Sequence, residues 1–141
     1  MSDIGKRKAE HLKLAMETGS QAGIEPFSNY HLSIKSLPEI DLNEVDTSTT
    51  LFGKKLAQPL IIASMTGGSE QGLEINTNLA MAAEKCQVAL GVGSQRAALE
   101  KPEMKKTFEV VRKYAPTTVI FANMGAVQLN YGKTIEDYKR V

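Results

Sequence analysis

Three short apolar runs, each closing on small polar residues and glycine, recur at a fixed step along this chain of 141 residues. Ile61, Leu90 and Val119 follow one another at 29 residues, and Met65, Ser94 and Asn123 fall on the same step. About thirty residues make one strand, one helix and two short loops, so the repeat predicts successive βα units. The first run, Leu60-Ile61-Ile62-Ala63, has no polar alternation, as a strand buried on both faces of a parallel sheet requires. It delivers Ser64-Met65-Thr66-Gly67-Gly68. The second (VALGVG) delivers Ser94-Gln95-Arg96, and the third ends in Asn123-Met124-Gly125. Parallel strands set these ends side by side on one rim, the side where α/β proteins bind ligands.

Between the runs the period changes to that of helices. Ser69 can cap a helix reaching about Lys85, with Ile75, Leu79, Ala82 and Cys86 on its apolar face. Pro102 suits the first turn of the next, which would bury Met104, Phe108, Val111 and Ala115 before Pro116 stops it. A third helix is predicted over residues 133–141. On this reading Cys86 is a buried, inert thiol, and one cysteine cannot form an internal disulfide. The formal net charge of +1 gives no reason to expect a nucleic-acid partner. The N-terminal residues are mixed and polar, and nowhere do about eighteen apolar residues run together, so neither a secretory signal nor a membrane span is expected and a cytoplasmic protein fits.

The first 58 residues form a leader. Asp3 to Glu17 reads as a helix capped by Ser2 or Asp3, with Arg7 and His11 on one face. Lys6-Arg7-Lys8 sits at the wrong end of that helix to complement its dipole. It is either a solvated charged turn or a clamp for an anionic group, for which arginine offers a planar fork and lysine a mobile charge. Tyr30 to Leu37 alternates as a strand, carrying His31 without a chemical role, and a hairpin is expected to turn at Gly53. Taken singly, Met65 and Met124 read as core filler, Ser94 as a cap and Asn123 as a turn former. The common step of Met65, Ser94 and Asn123 sets those readings aside only together with the motifs around them.

Arg7-Lys8-Ala9-Glu10-His11, Ala63 to Gly68, Gly91 to Arg96 and Asn123 resemble, in order and separation, the N-terminal part of the type 2 isopentenyl-diphosphate isomerase family. That resemblance implies an α/β fold, the TIM (β/α)8 barrel, of which this chain supplies the leader (1–58) and the first three βα units (59–141). It implies interconversion of isopentenyl and dimethylallyl diphosphate with reduced FMN, Mg2+, and NAD(P)H as reductant, in a homo-oligomer when complete. By the same resemblance Ser64, Met65, Thr66, Ser94 and Asn123 contact FMN. Arg7, Lys8, Ser94, Gln95 and Arg96 hold the diphosphate, and His11 either orients substrate or braces the leader. No metal ligand is assigned within the chain: the magnesium carboxylate and the FMN phosphate site belong to later strands.

An eightfold barrel needs about 250 residues. Three units alone would leave sheet edges and an inner face uncovered, so the chain is expected to be an N-terminal portion without isomerase activity by itself. Two other readings compete. One is another flavin barrel, of the 2-hydroxy-acid oxidase or IMP dehydrogenase kind; the other is a non-catalytic half-barrel that serves binding or assembly.

Overall fold

The computed structural model describes residues 3–17, 23 and 27–140, with the backbone alone at 3–5 and 8. Helix α1 (Asp3–Met16) occupies the span its spacing predicts; Ser2 lies outside the described residues. Strands β1 (Thr49–Leu51) and β2 (Lys54–Leu56) pair as an antiparallel hairpin. It turns through Phe52 and Gly53 with φ of 50° and 74°, the left-handed pair that matches the twist of a two-residue hairpin. Strands β3 (Ile61–Ile62), β4 (Ala89–Ser94) and β5 (Ile120–Asn123) form a parallel sheet in sequence order. Helix α2 (Glu70–Cys86) crosses from β3 to β4, and helices α3 (Arg96–Glu100) and α4 (Lys106–Tyr114) cross from β4 to β5. A 3-10 segment (Ala126–Tyr131) and helix α5 (Ile135–Lys139) follow, the latter capped reciprocally by Thr134 and Asp137.

Alternation along the strands sorts their side chains onto two faces. Val88, Leu90 and Val92 join Ala80 and Ala83 of α2 and Phe108 and Val111 of α4 in the main core. On the opposite face Ala89 and Val119 pack with Leu56 of the hairpin, and Leu51 and Phe121 border them. These contacts lie where β4 and β5 begin. Lys54 Nζ also donates to the Thr117 carbonyl at 2.8 Å, and the Ala57 N–H donates to that of Gln87 at 2.9 Å. The hairpin therefore closes the N-terminal end of the sheet and leaves the C-terminal rim open.

Four expectations need correction. Cys86 is exposed, because α2 buries Gly72, Asn76, Ala80 and Ala83, a stripe one residue along from the predicted one. Small side chains there allow α2 and α4 to approach closely, whereas Ile75 and Leu79 lie at the margin of that seam. Tyr30 to Leu37 makes no strand: Leu32 and Ile34 are 90% and 89% exposed, since no sheet edge among the described residues lies beside them. The first core run is not buried on both faces, for Ile61 is 56% exposed on the outermost strand of the sheet, beside the hairpin. The second crossover is also not one helix. Residues 96–100 form α3, and Pro102 opens a 3-10 turn (Pro102–Met104) before α4.

Glu84 on α2 ties this helix to the loop that enters β5. Its carboxylate accepts hydrogen bonds from the Thr117 hydroxyl and from the Thr117 and Thr118 N–H groups. Desolvation pushes its pKa up, but those hydrogen bonds and the nearby Arg112 outweigh it and hold the carboxyl below its usual 4.5. A lowered folded-state pKa means that this contribution is complete above the unfolded value and disappears as pH falls through the folded one. The urea-unfolding midpoint should accordingly decline below about pH 4.5. Glu84→Gln should be less stable at neutral pH and show a flatter acid limb; an unchanged limb would show that other groups set it.

Candidate functional site at the C-terminal rim

Ser64 to Gly68 leaves β3 and runs alongside β4, Ser64 next to Gly91, Thr66 next to Gly93, and Gly67 turned back against Phe108 of α4. At Gly93 the Thr66 backbone lies so near that an added Cβ would come within 2.8 Å of its carbonyl carbon and 2.9 Å of its nitrogen. The Gly93 N–H donates to the Thr66 carbonyl at 2.9 Å. Glycine at this point of the strand thus admits a neighbouring backbone where any side chain would expel it. Met65 is exposed on the loop, while Thr66 turns its hydroxyl inward to donate to Asn76 Oδ1. What the loop offers a ligand is therefore its backbone and Met65 more than the Thr66 proton.

A register shift then brings the other two strand ends together. Val92 pairs with Ala122, but Ser94 pairs with Asn123, so Gly93 is an extra residue on β4. Plain alternation would turn Ser94 to the helix side. The bulge re-aims it, as bulges near sites do, and Ser94 and Asn123 line the same hollow of about 220 Å3. Arg96 from the start of α3 and Arg7 from α1 line it too, with Gln128 beyond β5. Arg96 Nε also pairs with Glu100 at 3.1 Å, an i,i+4 contact that holds the guanidinium beside the rim.

Arg7, Ser94, Arg96 and Asn123 are thus brought to one place from elements far apart in sequence. Two guanidinium groups, a hydroxyl and amide side chains make a donor-rich wall with no carboxylate among the lining residues, chemistry suited to an anion or to the acceptor edge of a heterocycle. The hollow is smaller than the ~300 Å3 of a complete small-molecule pocket, as befits one wall of a larger site. Gln95 does not line it. That residue is buried and borders a separate cavity of about 490 Å3 on the helix side, with Val92, Ile120 and Arg112. His11 is exposed on α1, and Lys8 falls in the same helix with its side chain outside the described residues. Among the described residues no three His, Cys, Asp or Glu side chains gather as metal ligands, and no helix is long and apolar enough to cross a membrane.

Residues 11–117 match the profile of the FMN-dependent dehydrogenase family. This chain belongs to that family. Its strand-end wall fits the flavin the family is named for: Ser94 and Asn123 offer hydrogen bonds from adjacent strands to one open hollow, while Met65 is exposed on the neighbouring loop and does not line it. Among individual relatives, the chain is 46% identical to a protein of Nostoc sp. named isopentenyl-diphosphate delta-isomerase, over 96% of this chain and 39% of that one. It is 45% identical to one of the same name from Methanothrix thermoacetophila, over 94% and 37%. A third, from Ignicoccus hospitalis, is 39% identical over 98% and 38%. The chain therefore spans under two fifths of the length of these relatives.

Sequence reasoning missed Asn76 and Thr107, which are 2% and 0% exposed and hold the loop after β3. Asn76 Nδ2 donates to the Thr107 carbonyl at 2.8 Å, and the Gly68 N–H donates to the Thr107 hydroxyl at 2.8 Å. The available signal was a polar residue within the small-residue stripe Gly72, Asn76, Ala80, Ala83. A buried polar side chain is tolerated only with partners, so its presence on a packed seam marks something being held.

Proposed function

We propose that this chain supplies the leader and the first three βα units of an eightfold-barrel, FMN-dependent isopentenyl-diphosphate isomerase in isoprenoid biosynthesis. The observation that carries this reading is the meeting of Arg7 and Arg96 in one hollow with Ser94 and Asn123. A diphosphate needs several charge-assisted donors, and both arginines stand where the flavin wall ends. Reduced FMN, when bound, supplies the acid and base groups for moving the double bond, one proton being gained and another lost with no net redox change. The protein's part is positional. The backbone at Ser64 to Thr66, with Ser94 and Asn123, would hold the flavin edge; Arg7, Arg96 and Ser94 would grip the diphosphate. Lys8, Gln95 and His11 belong to the same proposal in lesser roles, Gln95 by supporting α3 from beneath. Mg2+ and its carboxylate, the FMN phosphate site and the NAD(P)H approach would come from the remaining barrel strands. Those strands would also cover the exposed inner face and complete a cytoplasmic homo-oligomer.

The test is a joined protein, this chain followed by the remaining length of the Nostoc relative. Supplied with FMN, Mg2+ and NADPH, it should convert isopentenyl to dimethylallyl diphosphate, whereas the 141-residue chain alone should not. A joined protein that binds FMN but oxidises 2-hydroxy acids instead would replace this reading with the oxidase one. One that binds neither flavin nor diphosphate would favour an assembly role.

A further inference from the structure

We infer that Asn76 is a positioning residue for the flavin-facing loop, acting through Thr66; this rests on the proposed flavin wall. Thr66 is held from two directions: its carbonyl accepts from Gly93 of β4, and its hydroxyl donates to Asn76 Oδ1. Asn76 passes the constraint on, because its Nδ2 donates to the Thr107 carbonyl at the start of α4. Two residues beyond Thr66, the Gly68 N–H donates to Thr107 Oγ1, which in turn donates to the Met104 carbonyl at 2.7 Å. The segment on both sides of Gly67 is thereby fastened to one buried residue of α4 and one of α2. Asn76 and Thr107 are buried and neither lines the hollow, so any effect on a ligand there is indirect.

Their effect would be on geometry. The Thr66 backbone keeps its place beside Gly93 of β4 while its hydroxyl is held by Asn76, and a partly satisfied buried network destabilises its own arrangement. The side chain that sets how the loop meets the flavin would thus be an asparagine one layer beneath it. A site held by such supporting residues loses affinity when they loosen, even with every contacting group intact.

The experiment is FMN titration of the joined protein by visible absorbance, with the variants Asn76→Leu, Thr66→Val and the double variant. N76L should weaken FMN binding about tenfold or more and shift the flavin visible band, and in the T66V background it should add less than about twofold. Thr107→Val, close in shape to threonine, should weaken FMN binding as well, and it serves if N76L does not fold. The inference is overturned if N76L and T107V bind FMN as tightly as the unmodified protein with the same spectrum, or if the N76L and T66V effects simply multiply. An unmodified joined protein that binds no FMN overturns the flavin wall and this inference together. One that binds FMN without isomerising overturns only the proposed reaction.

Discussion

Gly67→Ala is expected to remove about 2–6 kcal/mol of folding stability, the sum of backbone strain and overpacking against the Phe108 ring. Gly67 has φ of +126°, a region closed to side-chain-bearing residues, and an added Cβ would come within 2.7–2.8 Å of Cδ1 and Cζ of the Phe108 ring. Phe108 is buried in the main core and also borders the 490 Å3 cavity, so the ring could give way only by leaving its packed contacts. If the loop lifts in place of the ring, its bonds from Gly68 to Thr107 and from Gly93 to Thr66 would break together. Gly132 provides the comparison: its φ is +79°, but nothing lies within 4 Å of its missing Cβ. Gly132→Ala should therefore show only the left-handed backbone cost of about 1–2 kcal/mol. Urea midpoints of the two variants of the joined protein would measure the difference, and equal losses would show that the Phe108 contact contributes nothing.

Arg96→Ala in the joined protein should raise the KM for isopentenyl diphosphate about 10- to 100-fold, the effect of losing a charge-assisted hydrogen bond worth about 1.5–3 kcal/mol. Its pair with Glu100 is partly exposed and adds little to stability, so unfolding should not account for the loss. Arg96→Lys should recover part of it, since the charge returns but the planar fork does not. Arg7→Ala should act similarly if α1 presents its guanidinium to the same anion. The double variant should then lose less than the product of the single effects, because groups sharing one ligand couple. An Arg7→Ala variant with unchanged KM would detach the leader from the site. An Arg96→Ala variant that loses FMN affinity while keeping its KM would reassign that residue to the cofactor.

Much of this arrangement was legible in the chain itself. The 29-residue step predicted parallel strands in sequence order, because strand and helix lengths are local quantities and a repeated spacing repeats the unit. Ser69 as the cap of α2 and the turn at Gly53 followed from local backbone chemistry in the same way. The candidate site was legible to the extent that Ser94 and Asn123 end strands, Arg96 opens the helix just past one of them, and Arg7 lies on a leader helix.

Tertiary structure decided what depends on a partner. Ser94 faces the hollow because of a one-residue bulge, visible only once β4 and β5 are paired. Gln95, adjacent in sequence, is buried on the other side. The buried stripe of α2 runs through small residues because α4 lies close, a choice that side-chain hydrophobicity alone would have assigned to Ile75 and Leu79. The alternation of Tyr30 to Leu37 is a strand pattern that makes no strand without an edge to pair with. Local sequence determined which elements form and in what order, since turns, caps and periods are set by neighbours along the chain. Which face each element buries, and which side chains meet across the rim, was set by contacts between residues tens of positions apart.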